Sequence, residues 1–429
     1  MNFKFKYGQS EIEFSLEDKN VLGVLSLSKT VEKLPDLKSA ITNSLKNPIG
    51  ASPLVELIKE NNPKKIAVIL EDITRPNRDY NVILSALIAE LKEAGLQPKS
   101  ETTRVKFVIA YGTHRKQTEE ESLNLYGQET FDFGEVINHD CDDRKHLSSV
   151  GLLSDGEDLM INKHVAEADL VIATGNIEPH TFAGYGGGRK AILPGVSSRK
   201  NIRMNHAKVI CENVGFGILK NNPINLGMVE AAKLVAKNRL LFILNIIRND
   251  KKEVVKVVSG DIEKAFNEGV KFSEQMFTVK VKQLADVTIV SPGGTPKDMN
   301  LYQSQKALTA ASYLTRKGGT IILVSECREG VGQPVFEKWM EVYSTKEILC
   351  KDEREIEVEG HRAYLTAKIL DEIETIMVSS MPCEKVKKLK FSYSETMQEA
   401  IESVKKKYGE NFKAYIIPNG SSILPVLER

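Results

Sequence analysis

Eight short runs of consecutive apolar residues constrain the fold of this chain more than any other feature. They are KKIAVILED (64–72), KFVIAYGTH (106–114), DLVIATGN (169–176), LLFILNII (240–247), DVTIVSPGG (286–294), GTIILVSE (319–326), ETIMVSS (374–380) and AYIIPNG (414–420). The runs are continuous rather than alternating, which predicts strands covered on both faces in a parallel sheet. Amphipathic stretches separate them. NVILSALIAELKEAG (81–95) has helical spacing, with Gly95 placed to end the helix. LYQSQKALTAASYLTRKGG (301–319) predicts a second helix ended by its glycines. Strands alternating with helices give an α/β fold.

The chain has 429 residues, more than one core usually organises. The charged segment 251–285 is poor in large apolar residues and marks a boundary. The expected organisation is two α/β domains with mainly parallel sheets and an interdomain active site. The first domain spans 1–275 and is completed by the closing segment 416–429, and a smaller one spans 276–415. Lys and Arg number 59 against 58 for Asp and Glu, and this balance gives no basic face for nucleic acid or a membrane surface. The five cysteines are dispersed, which suits reduced thiols and argues against a thiolate zinc site. The opening MNFKFKYGQSEIEF lacks an apolar signal-peptide core, and no window reaches membrane-spanning length, so a cytoplasmic protein is expected.

Ligands of parallel sheets bind beyond the carboxyl ends of the strands. There the first run delivers Asp72, Ile73, Thr74 and Arg75 (DITRP, 72–76), the second His114, and the third Glu178 and His180. Taken singly, Asp72 reads as a cap, Arg75 as a turn residue, and each histidine as readily structural as functional. Their convergence on one edge favours a site. Of the seven histidines, His139, His146, His164 and His361 lie in charged or amphipathic surroundings that predict the surface. Two histidines facing one ligand suit paired acid–base chemistry. Metal ligation competes with that role, although neither HxH nor HExxH is present.

EPHTFAGYGGGRKAILPG (178–195) adds a glycine run beside cations. It is not a P-loop, because Arg189 separates the last glycine from Lys190 and Ala191 stands where a hydroxyl is needed. The spacing of Gly184, Gly186, Gly187 and Gly188 also fails the dinucleotide fingerprint. What remains is a backbone open to close approach, with Arg189 or Lys190 supplying charge or an amine. His206 comes later, in a second basic stretch, and Tyr302, Gln303 and Lys306 offer similar chemistry at helical spacing.

DITRP, YGTHR (111–115), the 178–195 block, the MNH of RMNH ending at His206, LYQSQK (301–306) and the closing IIPNGSSILP (416–425) resemble the nickel-dependent lactate racemase family, across both domains. The resemblance implies a nickel-pincer nucleotide, a pyridinium mononucleotide with two sulfur-bearing arms. Lys190 would form its thioamide tether and His206 would ligate nickel, so the metal centre is His206 with Lys190. Asp72, Ile73, Thr74, Arg75, Gly186, Gly187 and Gly188 would hold the cofactor. His114 and His180 would be the acid–base pair. Arg75, Tyr302, Gln303 and Lys306 would bind the substrate, a small 2-hydroxy acid. The implied reaction interconverts D- and L-lactate through hydride transfer to the tethered cofactor and a transient 2-keto acid. One histidine takes the hydroxyl proton and the other returns one. Cofactor-biosynthesis enzymes are the implied partners. Competing readings are a racemase or epimerase of malate, a longer hydroxy acid or a sugar acid, a nucleotide-binding protein with structural histidines, and a histidine-ligated metallohydrolase.

Overall fold

The computed structural model of the chain describes residues 1–27, 31–75 and 78–428. All eight apolar runs form strands in two six-stranded sheets. The first sheet has the order Val254–Asp261, Leu240–Arg248, Leu170–Asn176, Lys65–Glu71, Arg104–Ala110, Glu135–Asn138. Every pairing in it is parallel except that of the Val254–Asp261 edge strand. Its central strands are buried on both faces, with Ala67, Val68, Ile69 and Leu70 wholly inaccessible, as continuous apolar runs require. Helix Tyr80–Glu93 buries Ile83, Leu84, Leu87 and Leu91 in the same core. It ends where Gly95 takes a φ of +94°, a conformation that costs a glycine least.

The second sheet is parallel throughout, in the order Ser392–Ser394, Glu374–Val378, Thr315–Val324, Ala285–Val290, Ala414–Ile417, Val21–Val24. Its core joins Val287, Ile289, Ile322, Val324 and Ile416 to Phe5 and Phe14 of an N-terminal hairpin.

Met1–Lys29, His206–Glu212 and Met276–Arg429 form one compact unit, and Thr30–Asn205 with Asn213–Gln275 form the other. This corrects the expectation that 416–429 completes the first domain. Ala414–Ile417 lies beside Ala285–Val290, and Leu424–Leu427 pairs with Thr278–Val281, both in the C-terminal unit. The N-terminal segment joins that same unit, because Val21–Val24 forms its outermost strand. The division between the two units falls within the charged 251–285 segment, between Gln275 and Met276, and the segment is regular structure. VVKVVSGD forms the antiparallel edge strand, largely buried with Lys256 exposed, and Lys264–Phe277 is a helix. The 301–319 helix stops earlier than its glycines suggest. It closes at Ser312, and Gly318 and Gly319 lie within the Thr315–Val324 strand. Among the described residues, no helix is long and apolar enough to cross a membrane.

Two histidines expected at the surface are buried, His139 and His361. His139 Nε2 lies 3.1 Å from the Ser197 carbonyl, and burial pushes the imidazole down to about 4. The unfolded chain takes up this proton near pH 6.5, whereas the folded chain resists it until about pH 4. Its stabilisation is therefore complete above pH 6.5 and is lost as pH falls through that window. We expect His139→Gln to flatten this dependence. From pH 7 to pH 5 the wild type should lose about 2 kcal/mol more than the variant, read from urea midpoints. Parallel losses in the two proteins would contradict it.

Candidate active site

The strands ending at Glu71, Ala110 and Asn176 are neighbours in the first sheet, so the residues after them share its carboxyl edge. Asp72 is buried there at 2% exposure. Its Oδ2 lies 2.6 Å from His114 Nδ1. Its Oδ1 accepts the Thr74 backbone N–H at 2.8 Å and the Thr74 hydroxyl. Burial pushes the carboxyl up, but the hydrogen bond and charge of His114, the charge of Arg75 and the Thr74 hydroxyl outweigh it. Asp72 is thus held below the ordinary carboxylate value. The Ile73 N–H donates to Gln117 Oε1 at 3.1 Å, which ties this turn to the segment after His114. Arg75 is half-buried, and Pro76 of the DITRP stretch lies outside the described residues.

His114 is 40% exposed, so its ring has one edge on a buried carboxylate and the rest accessible. Gly112, with a φ of +56°, turns the chain before it and donates its N–H to the Gly195 carbonyl at 2.9 Å. That bond fastens the end of the glycine block to the His114 turn. His180 lies in a two-residue strand, Pro179–His180, antiparallel to Ala183–Tyr185. Its Nδ1 accepts the Ala183 N–H at 3.3 Å, and its ring meets Phe182 edge-on at 4.5 Å.

The glycine block is held from inside by Arg189, which is 2% exposed. Its Nε donates to Asn225 Oδ1 at 2.8 Å, and its terminal nitrogens donate to the carbonyls of Tyr185 at 3.0 Å and Ala183 at 2.9 Å. The guanidinium lies 4.2 Å from the centre of the Phe266 ring. Burial pushes it down to about 9, which leaves it charged at neutral pH. Arg189 is therefore a structural cation, whereas Lys190 beside it is only half-buried. The glycines owe their identity first to the protein itself. A Cβ on Gly186 would stand 2.9 Å from the Asn176 carbonyl oxygen, and one on Gly187 only 2.7 Å from Ile177 Cγ1. On Gly188 it would meet the Phe266 ring at 2.8 Å.

Three asparagines that sequence reasoning did not single out complete this seat. Asn245 Oδ1 accepts the Gly188 N–H at 2.7 Å, and Asn222 donates to the Phe182 and Ile218 carbonyls while capping helix Pro223–Ala236. Asn225, in the first turn of that helix, holds Arg189. For Asn222 and Asn225 the local signal is the NNPIN stretch at 221–225, a cap followed by proline at the first helical position, whereas Asn245 is the one polar residue of the LLFILNII run.

The other predicted residues belong to the C-terminal unit. His206 is buried, with the ring of His361 edge-on at 5.1 Å. His361 Nδ1 accepts the Glu359 N–H at 3.1 Å. Tyr302, Gln303 and Lys306 lie in the first two turns of helix Leu301–Ser312, capped by Asn300 Oδ1 on the Gln303 N–H at 2.9 Å. The Tyr302 ring packs under the Arg362 guanidinium at 4.7 Å and against Phe336. Burial raises its phenol above the ordinary value, with Arg362 opposing. Gln303 is exposed and Lys306 half-buried.

Residues 7–217 match the profile described as the lactate racemase N-terminal domain, and residues 280–425 that of the lactate racemase C-terminal domain. The chain belongs to the lactate racemase family. It is 34% identical over 432 residues to the lactate racemase of Thermoanaerobacterium thermosaccharolyticum, covering 99% of each chain. It is 31% identical over 427 residues to that of Lactiplantibacillus plantarum, covering 97% of this chain and 98% of the other. The fold superposes on the lactate racemase apoprotein of T. thermosaccharolyticum with a TM-score of 0.89 and 32% identity, over 99% of this chain and 100% of that one. A Thermotoga maritima protein of 18% identity shares the fold, with a TM-score of 0.65 over 92% of this chain and 100% of that one. The family is one of racemases, and this protein is accordingly an enzyme. The family's N-terminal profile begins at residue 7, yet residues 1–27 fold with the C-terminal unit.

Removing the Arg189 side chain takes a donor from buried acceptors on four residues, Asn225, Tyr185, Ala183 and Gly187. Arg189→Met should destabilise the protein by about 3 kcal/mol. Arg189→Lys should cost nearly as much, because one ammonium cannot reproduce a planar three-way fork. Urea denaturation measures both, and a lysine variant as stable as wild type would show that charge alone suffices.

Proposed function

We propose that this enzyme interconverts D- and L-lactate, with His114 and His180 as its acid–base residues. The observation that carries the reading is the contact of buried Asp72 with His114, on a sheet edge that also presents His180 and the glycine block. A base needs a partner for the charge it acquires, and a carboxylate held below its ordinary value supplies one. Arg75 lies half-buried in the same turn, its backbone N–H on the Asp72 carbonyl at 3.1 Å. It is suited to a substrate carboxylate, since its fork engages both oxygens and stays charged. Within the C-terminal unit, Gln303 and Lys306 offer a neutral and a charged donor suited to a small hydroxy acid, with Tyr302 on the same helix.

The residues fit a nickel-pincer nucleotide. Beside the glycine block, Asn176 Oδ1, Thr181 Oγ1 and Asn245 Nδ2 are buried without a protein hydrogen-bond partner, a mixed set of donors and acceptors that a polar nucleotide can satisfy. Lys190 offers a primary amine for a covalent tether, and the imidazole of His206 is an acceptable nickel ligand. Bound there, the group supplies a reversible acceptor for the substrate's C2 hydride, so that a 2-keto acid forms transiently. The chain's own work is to fix the carboxylate, to move the hydroxyl proton at the two imidazoles and to keep the site packed.

Cofactor-loaded protein, made alongside the enzymes that build the cofactor, should racemise either lactate enantiomer in a chiral assay. Turnover of malate or a longer 2-hydroxy acid in place of lactate would overturn the substrate assignment. His114→Ala and His180→Ala should each lower the rate by roughly 10²- to 10⁴-fold. If both variants keep full activity, the two-histidine reading fails. Intact mass should show an adduct that Lys190→Ala loses, whereas His206→Ala should keep the adduct and lose nickel. An adduct surviving in Lys190→Ala would place the tether elsewhere.

A further inference from the structure

The two histidines differ in what their Nδ1 atoms meet, and the consequence of that difference for catalysis rests on the racemase reading. A carboxylate only accepts hydrogen bonds, so the hydrogen in the 2.6 Å His114–Asp72 contact sits on His114 Nδ1. Nε2 of that ring then carries the lone pair. A backbone N–H only donates, so His180 Nδ1 carries the lone pair toward Ala183, and the hydrogen of the neutral ring sits on Nε2.

We propose that Asp72 is the positioning residue of the reaction. It holds His114 in the Nδ1–H tautomer and so makes His114 Nε2 the atom that takes the substrate's hydroxyl proton. In that step the substrate O–H bond breaks and an Nε2–H bond forms on His114. The ring becomes an imidazolium whose Nδ1–H stays on the Asp72 carboxylate, and Asp72 itself takes no proton. The reverse step returns the proton from Nε2 to the oxygen.

Three features make the arrangement directional. Asp72 is almost wholly buried, so water does not compete for its Oδ2. The Thr74 N–H and hydroxyl occupy Oδ1, which fixes the carboxylate plane. His114 is anchored by its own N–H on the Tyr111 carbonyl at 2.9 Å. The Thr74 N–H also decides what an amide does in the carboxylate's place. In Asp72→Asn the amide oxygen must remain opposite Thr74 N, so the amide nitrogen faces His114 and donates to Nδ1. The substitution therefore inverts the tautomer rather than merely weakening the contact.

The test uses full-length protein labelled with ¹⁵N-histidine, without cofactor, and two-bond ¹H–¹⁵N spectra that separate the two neutral tautomers. His114 is assigned by the signals lost in His114→Gln, and His180 serves as the internal contrast. Wild type should show His114 as Nδ1–H and His180 as Nε2–H, and Asp72→Asn should move His114 alone to Nε2–H. A wild-type His114 in the Nε2–H form overturns the proposal even if the variant does not fold. In cofactor-loaded enzyme, Asp72→Asn should lower kcat by roughly 10²- to 10⁴-fold with KM for lactate within about threefold. A raised KM with unchanged kcat would instead make Asp72 a binding residue. The spectra need no turnover, so a failure of the tautomer assignment and a failure of the lactate reading remain distinguishable.

Discussion

The buried guanidinium of Arg189 is the constraint on which the site's architecture rests. A fully desolvated cation is costly unless its donors are used and its charge is faced by something polarisable. Here four carbonyl-type oxygens and the face of the Phe266 ring do this without a carboxylate. The acceptors come from the Ala183–Tyr185 strand, from Gly187 and from the first turn of helix Pro223–Ala236, so one side chain ties the glycine block to a helix remote in sequence. His180 lies just before that strand and pairs with it, and Lys190 comes directly after Arg189. The geometry of two proposed functional residues thus depends on a neighbour that never faces solvent.

The second organising element is the carboxyl edge of a sheet whose strands cannot expose either face. Burial of Ala67 to Leu70 forces the chain to put its polar residues after the strand, and the first of them is Asp72. A carboxylate so placed must find partners. It finds Thr74 locally and His114 across the sheet, and the contact orders both the turn and the ring. Structural need and chemical use coincide at this residue: the hydrogen bonds that make burial of the charge tolerable also select which ring nitrogen is available.

The strands were legible because period and length in one dimension reflect burial in three. Eight apolar runs became eight strands, and the residues after three of them lie on one edge. Less was legible where partners are distant. The 416–429 segment looked like a completion of the first domain, but strand order in a parallel sheet is set by crossovers, which leave no local mark. The 251–285 segment read only as a boundary, although it holds the edge strand Val254–Asp261 and the helix Lys264–Phe277. His139 and His361 sit among polar residues in sequence and yet are buried, since neighbours along the chain need not be neighbours in space.

The sequence by itself determined the α/β class, the edge on which the polar residues gather, and the family, because each depends on residue types at fixed local spacing. Only the tertiary structure decided that Arg189 is buried and holds the loop while Lys190 is half-buried, since adjacent cations look alike until burial separates them. It also decided that Asp72 meets His114, 42 positions away along the chain. The 2.6 Å contact exists because two parallel strands end side by side, and hydrogen bonds depend on distance in space rather than separation in sequence.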